Sequence, residues 1–202
     1  MIGGADAGWP GADTRRVFGP ILRGERVTLR PPTADDAKTF IEWFADTEVT
    51  RYLDRRTPLS LHEEEDALKR LSESKSDVFW VIETDGRTVG VIGIHAIDWV
   101  SARASTGIAI GDKSYWRRGI ATESMALRTR FAFRELNLHK LWSSAFMENE
   151  GSKRALMKSG YRQVGIFREH MFREGRYRDM WVGEVLREEW ERAQGAADVR
   201  ER

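Results

Sequence analysis

Apolar positions along this chain change period several times, and each change marks an element. Val27-Thr28-Leu29-Arg30 alternates with period two and predicts a first strand, ended by Pro31-Pro32. Ala37, Phe40, Ile41 and Phe44 then recur at helical spacing, with Thr33 at the cap and Asp36 as the third helical residue, close to a capping box. Trp43 lies beside that stripe, within reach of a pocket. Ser60 opens a second helix, with Glu63, Glu64, Glu65 and Asp66 in its first turns, where the dipole favours acid, and Leu68 and Leu71 as its buried side. Residues 78–83 and 88–97 read as strands joined by Asp85-Gly86, a hairpin signal. Asp98-Trp99-Val100-Ser101-Ala102 leads into a strand over 103–110. A helix over roughly 119–136 carries Met125, Leu127, Phe131, Phe133 and Leu136 on its apolar stripe. After it come a strand over 140–147 and a short helix over 152–159 that stops at Gly160. A hairpin of 161–172 and 177–186 turns at Glu174-Gly175, and a helix over 188–193 trails off.

The order is β-α-α-β-β-β-α-β-α-β-β, an α+β layout with a mixed sheet. Glycine and proline at 3, 4, 8, 10, 11, 19 and 20 make residues 1–20 a flexible leader, which Trp9, Val17 and Phe18 can pin to the domain or to a partner chain. A single domain over 21–193 follows, and 194–202 read as a disordered tail.

Composition removes several classes of chemistry. There is no cysteine, so disulfides, thiolate metal sites and a cysteine acyl-enzyme are excluded. His62, His95, His139 and His170 show no metal-ligand spacing. Charged residues are 32% of the chain but the net charge is only +1, which implies no general affinity for nucleic acid or membrane. No run is long enough to span a bilayer and no signal peptide is evident, so a cytoplasmic protein is expected. Charge is uneven, with acid over 60–66 and a concentration of Arg and Lys over 113–118 and 168–178. The basic stretch nearest a predicted helix start is the informative one.

That stretch is Ile108-Ala109-Ile110-Gly111-Asp112-Lys113-Ser114-Tyr115-Trp116-Arg117-Arg118-Gly119-Ile120-Ala121-Thr122-Glu123. A buried strand runs into a polar turn, a basic small-residue loop and a helix start. Free N–H groups and a positive dipole end make such a helix start an anion site, and Gly119 and Ala121 let a phosphate come close. Tyr115 to Glu123 resembles the acetyl-CoA pyrophosphate loop of the GNAT superfamily of N-acetyltransferases. It is most similar to the branch of ribosomal-protein N-terminal (RimJ/RimL-type) and spermidine acetyltransferases, in which Trp116 occupies the first loop position. Leu138-His139-Lys140-Leu141-Trp142, Glu148-Asn149-Glu150-Gly151-Ser152, Lys158-Ser159-Gly160-Tyr161 and Glu174-Gly175-Arg176-Tyr177-Arg178-Asp179 extend the resemblance over roughly residues 22–190.

The resemblance implies a GNAT-like, mostly antiparallel central sheet of about seven strands, splayed between the strands of Ile110 and Trp142, with helices on both faces. It implies acetyl-CoA as co-substrate, no metal, and direct transfer of acetyl to a primary amine. Backbone N–H groups of Arg118, Gly119, Ile120, Ala121 and Thr122 would hold the pyrophosphate, with Arg117, Arg118 and Lys113 adding charge. Backbone near Ile108 and Ile110 would bind the pantetheine arm and polarise the thioester carbonyl. Asn149 would reach the pantetheine from the far side. The helices over 36–73 would overhang the acceptor, where the acidic cluster of 63–66 either attracts a cation or serves the helix dipole.

Two proton transfers need groups. The Tyr acid of many relatives falls at Leu156, so Ser152 is the candidate to bond the leaving thiolate, alongside a role in capping helix 152–159. For the base, the branch's Glu falls at Met171, and Ser105 stands where related sequences often carry an acid. Glu169, on the face of Met171 by strand alternation, and Asp98 in the preceding connection are the candidates, with a water chain as the alternative. An α-amine near pKa 7.7–8.0 asks less of a base than a polyamine or lysine amine near about 10.4. The missing acids therefore favour a low-pKa amine; the acceptor classes the resemblance implies are a protein N-terminus, a polyamine, and an amino-sugar or antibiotic amine. The competing expectation is a non-catalytic acyl-CoA-binding sensor of the same fold. A homodimer follows the family's habit, with residues 177–186 or the leader as contacts. Trp99 would line the acceptor cleft or pack in the core.

Overall fold

A computed structural model describes residues 18–55 and 57–200, the last five through their backbone alone. Eight strands form one sheet in the order β1-β2-β3-β4-β5-β6-β8-β7, antiparallel except at β5–β6. They are β1 Leu22–Arg23, β2 Thr28–Arg30, β3 Val78–Thr84, β4 Arg87–Asp98, β5 Arg103–Ile110, β6 Lys140–Phe146, β7 Arg162–Arg173 and β8 Arg176–Leu186. The helices are α1 Asp36–Ala45, α2 Thr47–Thr50, α3 Leu61–Glu73, α4 Ile120–Arg134, α5 Glu150–Lys158 and α6 Arg187–Arg200. The two-residue β1 brings the sheet to eight strands where about seven were expected, and α6 continues past Ala193. Most of the leader, residues 1–17, and the last two residues lie outside the described residues.

Period-two alternation sorts the sheet into two faces. Leu29, Trp80, Ile82, Ile92, Ile94, Ala104 and Leu141 join Met125, Phe131 and Ala132 of α4 and Leu156 of α5 in the larger core. Val81 and Val91 point the other way and meet Ala37 and Phe40 of α1 and Leu68 of α3. Helices thus cover both faces, α4 and α5 on one and α1 and α3 on the other. The end of the leader packs on the sheet, since the indole N–H of Trp80 donates to the Pro20 carbonyl at 2.9 Å and Gly19 lies against the same ring.

Local signals formed largely as written. Ser60 and Glu63 close a complete capping box on α3. Asp85 and Gly86 both take left-handed φ, +51° and +69°, as a two-residue hairpin turn requires. The expected capping role of Thr33 changed. Asp36 accepts from the Thr33 N–H at 2.7 Å, but its carboxylate also forms a fork with both terminal nitrogens of Arg30, each at 2.8 Å. The helix end is thereby bolted to β2.

Candidate active site

Every feature of the site hangs on β5 and the two connections that leave it. Past Ile110 the Asp112 carboxylate accepts from the Ser114 N–H and starts a single turn over Lys113–Tyr115. Arg117 and Gly119 take left-handed φ of +63° and +83°, which turns the chain into α4. The Glu123 N–H donates to the Gly119 carbonyl, so the N–H groups of Ile120, Ala121 and Thr122 precede the first helical bond and stay free at the helix mouth. Arg117 and Arg118 are exposed there, with the Arg118 guanidinium over the Tyr115 ring at 5.2 Å.

Two neighbours differ from expectation. The Lys113 ammonium is held by Asp46 and Glu48, at 2.7 and 2.8 Å, and their carboxylates push its pKa well above the ordinary lysine range. It fastens the loop to α2 rather than adding free charge. Arg26 stands at the helix mouth as well, itself paired with Glu123. It donates to the Arg118 carbonyl at 3.0 Å, and another of its nitrogens lies 3.0 Å from where a Cβ on Gly119 would stand. Glu123 holds Arg26 by its backbone N–H and its guanidinium, and also accepts from the Val27 N–H. Arg26 lies more than ninety residues from this loop in sequence, so no local motif could announce it. A groove of about 580 Å³ continues from Arg26, Gly119 and Thr122 past Arg130 and Lys158 toward Trp190.

The other connection is a parting of strands. β5 and β6 pair only at Arg103↔Lys140, Ala104↔Leu141 and Ser105↔Trp142. Antiparallel pairing with β4 uses alternate residues of β5. The Gly111 N–H bonds the Val89 carbonyl, so by alternation the backbone groups of Thr106, Ile108 and Ile110 face away from β4. Side chains confirm it: Ser143 Oγ donates to the Thr106 carbonyl at 2.9 Å and the Trp116 indole N–H to the Ile110 carbonyl at 2.8 Å. The polar backbone of Ile108 therefore lines the opening between β5 and β6, while the carbonyl of Ile110 is taken by Trp116.

Beneath this opening lies a polar network centred on Arg128, a residue that no sequence motif marked. Arg128 of α4 is buried and donates to the Gly107 carbonyl at 3.3 Å and the Tyr161 hydroxyl at 3.0 Å. Tyr161 Oη and Thr106 Oγ1 are 3.0 Å apart, and Thr106 Oγ1 donates to the Trp142 carbonyl at 3.2 Å. The last rung joining β5 to β6 is thus pinned from below. Arg128 has an unpartnered Nε and no ion pair among the described residues, and burial pulls its pKa down while Tyr161 opposes.

A family model for the acetyltransferase (GNAT) domain matches residues 26–162. The chain belongs to the GNAT acetyltransferase family. It is 30% identical over 173 residues to YoaA of Bacillus subtilis, described as an uncharacterized N-acetyltransferase, covering 83% of this chain and 97% of the relative. It is 28% identical over 153 residues to the spermidine N(1)-acetyltransferase of Escherichia coli K12, covering 76% of this chain and 82% of that one. A GCN5-related N-acetyltransferase structure from Brucella melitensis superposes with TM-score 0.71 at 27% identity, over 84% of this chain and 80% of the other. A spermidine N-acetyltransferase structure from Vibrio cholerae, in complex with CoA and spermine, shares the fold at TM-score 0.77 and 20% identity, over 83% and 99% of the two chains. This chain is an N-acetyltransferase of a family that uses acetyl-CoA. No helix among the described residues is long and apolar enough to cross a membrane.

The remaining candidates of this acetyltransferase fall in different places. Asn149, rather than Ser152, is the N-cap of α5: its Oδ1 accepts from the Ser152 N–H at 3.1 Å. Ser152 is the third residue of the helix and half-buried. Leu156 is core. Asp98 closes the β4–β5 turn, accepting from the N–H groups of Val100 and Ser101 and from Arg103 Nε, with its pKa lowered first by Ser101 and then by Arg103. It stands opposite Arg103, at the far end of β5 from Ile108. Glu169 sits in a bulge of β7 between Phe167 and Met171, at φ +49°, its N–H donating to Asp179. Simple alternation with Met171 therefore fails, because the bulge inserts extra residues. Trp99 is exposed, its indole N–H on the Lys75 carbonyl, and is not part of the core.

Proposed function

We propose that this acetyltransferase moves acetyl from acetyl-CoA directly to a primary amine, as a member of the RimJ/RimL-like branch. The observation that carries the reading is the pairing of two features, one on β5 and one at the start of α4, which the loop leaving β5 joins. The free N–H groups of Ile120, Ala121 and Thr122, beside Arg26, Arg117 and Arg118, suit a pyrophosphate. The open backbone of Ile108 on β5 suits a pantetheine amide and a thioester carbonyl. Arg130 and Lys158 along the 580 Å³ groove would take further negative charge of the nucleotide. Asn149 spends its side-chain oxygen on the Ser152 N–H and keeps its amide NH2 for the arm. Ser152, Glu169 and Asp98 were the sequence candidates for proton transfer. Of these Ser152, beside Asn149, stays in the proposal as the group that bonds the leaving sulfur.

The acceptor read best is an amine of modest basicity, such as a protein N-terminus or an amino sugar. The acidic cluster of α3 is largely committed: Glu63 to its capping box, Glu64 to Arg55 at 2.6 Å, and Asp66 to His62 at 3.5 Å. Arg55 thus cancels the charge of Glu64, and Glu63 is tied up as the helix cap, so the cluster has a structural use of its own and does not by itself call for a polyamine. A second copy of the chain would pair through the exposed apolar side chains Val164, Ile166, Phe167 and Phe172 of the edge strand β7.

The test is calorimetry with acetyl-CoA, paired with thiol release over an N-terminal tripeptide, an aminoglycoside and spermidine. Binding with thiol release for the tripeptide or aminoglycoside is expected. Binding with no thiol release for any amine would favour the non-catalytic binder, and release for spermidine alone would reverse the acceptor order. Light scattering on the same sample reads the dimer.

A further inference from the structure

Gly93 and Gly107 face each other across β4 and β5, on the face covered by α1 and α3. No side chain rises from either position, so the sheet has a shallow floor beside the opening between β5 and β6. One ring occupies the edge of that floor. The imidazole of His95 leans back over it, with Nε2 2.4 Å from where a Cβ on Gly93 would stand and 3.5 Å from where one on Gly107 would stand. A side chain on Gly93 could not share this space, so that glycine admits the ring, while Gly107 lies at ordinary contact distance from it.

The other ring nitrogen is fixed. His95 Nδ1 lies 3.1 Å from Asp77 Oδ1, at the entry to β3. Asp77 is held in turn by the Ser74 hydroxyl at 2.6 Å and the Ala96 N–H at 3.3 Å. Burial raises the Asp77 pKa, but those donors and His95 outweigh it and keep the carboxyl anionic. An anionic partner makes Nδ1 the donor, which leaves the lone pair on Nε2, over Gly93 and beside Gly107. The His95 side chain is 35% exposed, so an incoming group can reach it.

We propose that His95 is the general base of this acetyltransferase, taking a proton from the acceptor amine at Nε2, with Asp77 as its positioning residue. The proposal rests on the placement of the thioester at Ile108 given above. In the step, the ammonium of the acceptor gives a proton to Nε2, and the freed nitrogen pair forms the C–N bond to the carbonyl carbon. The C–S bond breaks with its electron pair leaving on sulfur. The nitrogen's second proton leaves as the amide forms. One of the two protons ends on the CoA thiol and the other passes to solvent, so an ammonium and a thioester give an amide, a thiol and one proton.

The charged groups acting on the ring suit this work. Burial lowers the His95 pKa, Asp77 raises it, and Arg128 below Gly107 lowers it again, with the net result below the ordinary 6.5. The imidazole is therefore neutral at pH 7 and ready to accept. Such a base suits an amine near pKa 8 far better than one above 10.

The deciding experiment compares the wild-type enzyme with His95→Gln and Asp77→Asn, using acetyl-CoA and the tripeptide, aminoglycoside and spermidine probes. His95→Gln is expected to lower kcat by about 10²–10⁴, with the acetyl-CoA Kd within twofold of wild type and the acidic limb of the pH–rate profile gone. Asp77→Asn is expected to cost less and to move that limb. Imidazole ¹⁵N spectra of the wild-type enzyme should show the Nδ1–H tautomer of His95. A kcat for His95→Gln within threefold of wild type, or an Nε2–H tautomer in the free enzyme, overturns the base and leaves the acetyl-CoA site standing. A wild-type enzyme that binds no acetyl-CoA overturns the underlying site, and the tautomer then still decides the orientation of His95.

Discussion

Gly107 has a cation under its carbonyl and a neutral imidazole beside its α-carbon. The arrangement makes one residue change informative in two ways. Replacing Arg128 by Met removes a buried charge that no carboxylate balances among the described residues and fills the same volume with apolar atoms. Losing an uncompensated buried charge relieves a desolvation cost, which offsets the two donated hydrogen bonds that are lost, so the melting temperature should change little. The same change removes a positive charge that acts on His95. Its pKa should then climb, because Arg128 is one of the groups that hold it down. An NMR titration of the imidazole checks this, and an unchanged His95 pKa would show that the two groups do not communicate through the sheet. Arg128 was partly legible in the sequence. It lies three residues after Met125 and four before Ala132, on the buried stripe of α4. Its charge argues for solvent, and only the cross-sheet acceptors at Gly107 and Tyr161 explain why it went inside.

At the level of elements, what could be read in advance was whatever depends on near neighbours. The strand, turn, loop and helix of 103–134 are set by alternation, by Asp112 as a turn cap and by Gly119, and all formed as written. The pairing of Gly93 with Gly107, the bulge at Glu169 and the approach of Arg26 depend on register between distant segments, which alternation alone does not supply. Gly119 belongs to the legible class and tests it. At φ +83° any side chain is strained, and Glu there adds bulk against Arg26 and negative charge at the phosphate site. Gly119→Glu should abolish acetyl-CoA binding in calorimetry. Gly119→Ala separates the contributions: it carries the backbone strain, about 1–2 kcal/mol, or a melting temperature lower by roughly 2–8 °C, and should retain measurable binding. Undiminished affinity in Gly119→Glu would refute the loop as the anion site.

For the molecule as a whole, the overhanging helices must stay seated on the sheet for the face bearing His95 to keep its shape, and a partly buried ion pair fastens the start of α1 to it. Arg30 of β2 grips the Asp36 carboxylate at the start of α1, and also bonds Glu83 at 3.0 Å and Thr88 at 2.8 Å. Burial raises the Asp36 pKa, but Arg30 and the Thr33 N–H outweigh it and leave it below 3.8. A carboxyl whose folded pKa is depressed binds fewer protons folded than unfolded. Its stabilisation is fully present above the unfolded value and is lost as pH falls through the folded one. The wild-type melting temperature should therefore vary little through this pair between pH 7 and 5 and drop below pH 4. Asp36→Asn leaves Arg30 without its closest partner and should cost about 3 kcal/mol at neutral pH, a fall of roughly 6–12 °C. The difference between variant and wild type should shrink steadily below pH 4, because the wild-type carboxyl is then protonated as well. A constant difference at every pH would mean that Asp36 acts through its hydrogen bond to Thr33 rather than through its charge. In that case any acid sensitivity of the acceptor face would have to reside in the other depressed carboxyls on that side of the sheet, Asp46, Glu63 and Asp77.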